Sequence, residues 1–97
     1  MMVLGKTRKA LGACSVVAVI GIMYSQFGSE LRLSPAGAEI IGNAEGCMAT
    51  PYKCPADVLT VGIGSTEYSG QKIEPGKKYT NEEIAYRWKN DIKLAES

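Results

Sequence analysis

Hydrophobic and polar positions divide this chain into an uncharged N-terminal run and a mixed remainder. The run extends from Ala10 to Ser29, twenty residues without a charge. At a helical rise of about 1.5 Å per residue it reaches about 30 Å, the thickness of a bilayer core. Gly12, Ala13, Ser15, Ala18, Gly21, Ser25, Gln26 and Gly28 dilute it along its whole length, so the predicted helix is weakly apolar and able to leave the bilayer again. Lys6, Arg8 and Lys9 precede it, which keeps that flank in the cytoplasm and sends the remainder outward. The pattern predicts export with an inner-membrane tether over residues 10–29. A cleaved signal peptide and a permanent anchor are the alternatives, and no clear Ala-x-Ala site follows the apolar stretch before Glu30.

Beyond residue 30 the pattern is that of a small α+β unit. Ser34 followed by Pro35 predicts an N-cap and first helical residue, opening a helix through Ala38, Ile40, Ile41 and Ala44 that Gly46 ends. Residues 51–54 and 58–63 predict two strands of a hairpin joined by Pro55-Ala56-Asp57, with Gly62 and Gly64 allowing a bulge or close backbone approach. Residues 65–76 are polar and Gly-rich, a loop or a ragged third strand. Thr80-Asn81-Glu82-Glu83 is a capping box, and Ile84, Trp88, Ile92 and Ala95 form one apolar face of the helix it opens. That helix is predicted to run to Ser97 without a C-cap, and its apolar face is expected to lack cover from later residues.

Length and charge bound what this unit can do. The chain has 97 residues, so setting the run aside leaves roughly 65 to fold, a core that is marginal without a disulfide or a partner. The net charge of +1, with both signs interleaved, forms no basic patch, and nucleic acid is excluded as a partner. No obligate protein partner is indicated. Without histidine, proton transfer near neutral pH falls to a carboxyl or a thiol. Three cysteines leave one thiol over after a single bridge. They cannot close a tetrahedral zinc site with one of them in a membrane helix, so neither a metal nor a cofactor is expected.

The chemistry concentrates between Glu45 and Gly64. Glu45 falls in the last turn of its helix, where the negative end of the dipole favours the protonated carboxyl that a general acid requires. Each residue also has a plainer reading. Glu45 can be a solvated helix end, Cys47 and Cys54 a structural staple, and Thr60 an ordinary strand threonine. Asp57 is a rival carboxylate, although Asp is common in turns for its backbone hydrogen bonds. Trp88 reads as core, and Tyr52 as packed beside the site within reach of a substrate.

The order helix, Glu45-Gly46, Pro51-Tyr52, hairpin, Thr60-Val61-Gly62-Ile63-Gly64 resembles the N-terminal lobe of the phage-type lysozymes, from about Leu33 to Ser97. Glu45, Cys54 and Thr60 stand at that family's catalytic Glu, Asp and Thr spacings without a gap. Cys54 departs from the family's Asp, and Ile41-Gly42-Asn43-Ala44-Glu45-Gly46-Cys47 with Cys54-Pro55-Ala56 is similar to the signal-arrest-release endolysins, which also carry one Cys in a weak membrane segment, here Cys14. The resemblance implies two parts: residues 1–29 as the releasable membrane segment and 30–97 as the lysozyme-like lobe. The larger helical lobe that forms the far wall of the family's cleft would be absent.

That resemblance implies a muramidase that cleaves the β-1,4 bond between N-acetylmuramic acid and N-acetylglucosamine in peptidoglycan. Glu45 would protonate the leaving oxygen, while Cys54 as thiolate and Thr60 would hold and activate water, with inversion as the family expectation. It also implies a thiol switch. A Cys47–Cys54 bridge would hold the tethered enzyme inactive, and Cys14, once released to the host periplasm, would exchange onto Cys47 and free Cys54. Two other readings compete: a catalytically inactive, truncated lobe anchored in the membrane, and an exported module whose cysteines only staple it.

Overall fold

Ser15 caps the helix that begins at Val16, its hydroxyl accepting the Ala18 N–H at 3.1 Å. The computed structural model describes residues 12–53, 56–69 and 71–97. In it helix α1 spans Val16–Phe27 and passes through a 3-10 turn at Gly28–Glu30. At 12 residues it is shorter than the predicted continuous helix. The residues before it are used differently, since Ala13 pairs with Met48 in an antiparallel bridge and Cys14 N–H donates to the Cys47 carbonyl at 2.9 Å. Among the described residues no helix is long and apolar enough to cross a membrane. Instead Val19 and Met23 are fully buried against the rest of the fold.

Helix α2, Pro35–Glu45, begins and ends where the sequence places it. Ser34 Oγ accepts the Gly37 N–H at 3.0 Å, and Gly46 leaves the helix at φ +78°, its N–H donating to the Gly42 carbonyl at 2.7 Å. Its buried face is narrow. Ala38 and Gly42 point inward, whereas Ile40 and Ile41 are 73% and 43% exposed and Ala44 is exposed. Gly42 sets how closely that face packs, because a Cβ there would lie 2.6 Å from Val16 Cγ1 and 3.2 Å from the Trp88 ring. Two neighbours approach too closely for an isoleucine on that side.

Three strands form one antiparallel sheet in the order β1 (Met48–Lys53), β2 (Leu59–Gly62) and β3 (Ser65–Thr66). Strand β1 starts three residues before its predicted beginning, and the pairs Met48↔Gly62 and Tyr52↔Thr60 bracket a register irregularity. On the other side of β2, Thr60 faces Thr66 and Val61 faces Ser65. The ragged region after Gly64 therefore resolves into a two-residue strand and a 3-10 turn at Glu67–Ser69.

Helix α3, Asn81–Glu96, has the predicted capping box: Thr80 Oγ1 accepts the Glu83 N–H at 3.1 Å and Glu83 accepts the Thr80 N–H at 2.9 Å. Ile84, Trp88 and Ile92 are buried as expected, while Ala95 is exposed. The face expected to lack cover is covered from upstream, by α1. Two cations are buried beside the apolar stripe, Lys89 against α1 and Arg87 against the segment before α3. Lys89 Nζ lies 4.7 Å from the Phe27 ring and 4.2 Å from the Tyr86 ring, and Arg87 donates to the carbonyls of Gln71 and Lys72. The helix end is closed by Ser97, whose hydroxyl donates to the Leu94 carbonyl at 2.8 Å. Glu96 accepts the Arg32 and Leu33 N–H groups, which ties the α1–α2 connection to the end of α3.

Candidate functional site

Glu45 is the last residue of α2, and the turn at Gly46 carries the chain directly from it into Cys47 and β1. Its exposed side chain lies over the turn that follows β2. A Cβ on Gly64 would stand 2.8 Å from Glu45 Oε1, and Gly64 itself holds φ +71°. Glycine is required there twice, once by backbone conformation and once by the carboxyl it supports.

The carboxyl stands between two grooves. One, of about 430 Å³, is lined by Ile41, Ile63, Gly64, Thr66, Tyr68 and Asp91, among others, with Trp88 beneath. The second, of about 490 Å³, is lined by Ala13, Gly46, Cys47, Met48 and Tyr52. Glu45 belongs to both. Tyr52, 38% exposed, thus shares a groove with Glu45.

Thr60 occupies the central strand between Tyr52 and Thr66. It is buried, its hydroxyl donates to the Val58 carbonyl at 3.0 Å, and it lines neither groove that contains Glu45. Cys54 lies outside the described residues, directly after the end of β1. Asp57, the rival carboxylate, sits in the hairpin turn at φ +64° with its side chain 80% exposed and paired to Lys53. It borders a separate hollow with Val58, Leu59 and Glu67.

The other two cysteines are joined. Cys14 and Cys47 form a disulfide with their Cα atoms 5.0 Å apart, flanked by the Ala13–Met48 bridge and the Cys14–Cys47 backbone hydrogen bond. The bond attaches the chain before α1 to the wall of the groove that holds Glu45 and Tyr52. Cys47 is buried there, at 6% exposure.

Two residues near Glu45 escaped the sequence reading. Ser65 is almost fully buried, and its hydroxyl donates to Asp91 Oδ2. Asp91 lies three positions after Trp88 and one before Ile92, a carboxylate at the edge of an apolar helix stripe, and that placement was the available signal. Among the described residues no group of three or more His, Cys, Asp or Glu side chains could hold a metal ion.

The family model for phage lysozyme matches residues 42–97. The chain is 42% identical over 93 residues to a SAR-endolysin of Escherichia phage P1, covering 95% of this chain and 47% of that protein. It is 36% identical over 93 residues to a SAR-endolysin of Haemophilus phage HP1, covering 91% and 48%. Its fold is similar to the crystal structure of the active form of the P1 phage endolysin Lyz, with a TM-score of 0.77 at 40% identity over 88% of this chain and 44% of that one. The chain spans about half the length of the curated relatives it matches.

Proposed function

Because the chain belongs to the phage lysozyme family, we propose that it acts as a lysozyme-type endolysin, hydrolysing the β-1,4 bond between N-acetylmuramic acid and N-acetylglucosamine in peptidoglycan. Glu45 is the general acid that protonates the leaving glycosidic oxygen, and Cys54 as thiolate holds the attacking water; for Thr60 to share that role its buried hydroxyl has to turn from the Val58 carbonyl toward the groove. Tyr52 borders the bound saccharide. The observation that carries this reading is the exposed Glu45 carboxyl, seated on Gly64 between two open grooves. A buried ion pair or a capping role would leave no room there for a sugar.

Activation follows from the cysteines. In the tethered state residues 10–29 lie in the inner membrane and a Cys47–Cys54 bridge withholds the catalytic thiol. After release to the periplasm of the host bacterium, the Cys14 thiolate attacks Cys47 Sγ, the Cys14–Cys47 bond forms, the Cys47–Cys54 bond breaks and Cys54 leaves as thiolate. One disulfide is exchanged for another and no external oxidant is needed. The Cys14–Cys47 bond of this structure supports the released state. The proposed two-part division, 1–29 and 30–97, then describes the tethered protein, because on release α1 becomes part of the lobe's core.

Digestion of purified peptidoglycan with the 97-residue chain tests the bond specificity. New reducing ends at N-acetylmuramic acid are expected, and reducing ends at N-acetylglucosamine would overturn the muramidase reading. A second reading is a lobe anchored in the membrane that folds without hydrolysing. A cooperatively folded chain that releases no fragments would establish it.

A further inference from the structure

Helix α3 touches both segments between which the Glu45 carboxyl lies. Trp88 meets α2 at Gly42, three residues before Glu45 and the residue whose carbonyl receives the Gly46 N–H. One turn along α3, Asp91 accepts the hydroxyl hydrogen of Ser65. Ser65 is 1% exposed and directly follows Gly64, against which Glu45 Oε1 rests. Asp91 is half-buried and lines the same groove as Glu45.

The turn is closed by the Val61–Ser65 strand pair; within it Gly62 and Gly64, at φ +66° and +71°, carry no side chains, so its grip on the core is the buried Ile63 and the side chain at its far end, Ser65. The Ser65 hydroxyl is buried, so it needs an acceptor, and the Asp91 oxygen supplies one in a part-buried hydrogen bond. Trp88 therefore seats the helix that carries Glu45, and Asp91 seats the turn that supports its carboxyl.

We propose that the Ser65–Asp91 hydrogen bond is a positioning device for Glu45, fixing the Gly62–Gly64 turn to α3 and so setting where the carboxyl stands in its groove. Asp91 is a positioning residue in this account and does not touch the reacting atoms. The catalytic half of the inference rests on the reading of Glu45 as the acid, whereas the tie between Asp91 and the turn does not.

The test compares the 97-residue chain with Ser65→Ala, Asp91→Ala, Asp91→Asn and the double alanine variant, by amide NMR and by kinetics on soluble peptidoglycan fragments. Asn keeps an acceptor oxygen for Ser65 but not the charge. Each alanine variant should move the amide resonances of Glu45, Gly62 and Gly64 in the same way and lower kcat about 10- to 100-fold with little change in KM. The double variant should be no worse than either single one, and Asp91→Asn should restore both readouts. Unmoved Glu45 and Gly64 resonances in Ser65→Ala would overturn the proposal. So would an Asp91→Asn variant with native resonances and the activity of Asp91→Ala, because the charge would then matter in place of the position. A chain that hydrolyses nothing contradicts the acid role of Glu45, and the resonances still decide the tie.

Discussion

At Gly64 the local backbone and the proposed chemistry depend on the same missing side chain. Its φ of +71° disfavours any Cβ, and a Cβ placed there would strike Glu45 Oε1 at 2.8 Å. Gly64→Ala should therefore destabilise by more than about 1 kcal/mol, the usual scale for alanine at positive φ. It should also displace the carboxyl and reduce fragment release about 100-fold, the scale of a 1 Å misplacement. Thermal unfolding and release assays on the same preparation check both. A similar loss of stability with native activity would show that the carboxyl does not depend on this seat. Glu45 itself was legible because Ser34-Pro35 and Gly46 mark both ends of its helix. The Ser65–Asp91 contact was not, since it joins residues 26 positions apart and arises only when α3 lies across the sheet. Thr60 was legible as a strand residue, but no strand pattern reports that its hydroxyl turns back to Val58.

Among the elements, α1 contributes two fully buried side chains, Val19 and Met23, to the core. Met23 is fully buried, so Met23→Ala should cost about 2 to 5 kcal/mol in urea unfolding, and a cost below about 1 kcal/mol would mean that α1 is not docked in solution. The sequence marks α1 as apolar without revealing its destination, because uniform hydrophobicity suits both a bilayer and a core. Twelve residues fit the second. The capped start of α3 was legible from four residues, and its charges predict a pH dependence. The Lys77 ammonium, 2.8 Å from Glu83, is the chief reason that the Glu83 carboxyl titrates below its ordinary range, helped by the Thr80 backbone N–H. The same hydrogen bond raises Lys77. A carboxyl lowered on folding stabilises above its unfolded value of about 4.3 and loses that contribution as pH falls through the folded value. The raised lysine loses its contribution as pH rises through its folded value, above about 10.4. Both groups are partly exposed, so the effect is modest. Between pH 5 and pH 2 the melting temperature of Glu83→Gln should fall less steeply than that of the native chain, and parallel curves would contradict the assignment.

For the whole molecule, the Cys14–Cys47 disulfide joins the two parts expected from the sequence, 1–29 and 30–97. It closes the segment before α1 onto the groove that contains Glu45, so the predicted membrane segment and the predicted lobe form one body in this structure. Cys14→Ser removes the attacking thiol and should leave an exported protein that keeps a Cys47–Cys54 bridge and lyses no cells. Native lysis by that variant would end the exchange mechanism, and mapping of the disulfide by mass spectrometry would show which bond it holds. The central claim is that the groove at Glu45 hydrolyses peptidoglycan. It is tested most directly by measuring soluble fragments released from purified peptidoglycan by the 97-residue chain, with its Cys14–Cys47 bond verified, beside its Glu45→Gln variant. Release by the native chain, reduced about 1,000-fold or more in the variant in keeping with the loss of a general acid, is the predicted result. Equal release by both, or none by the native chain, would contradict it.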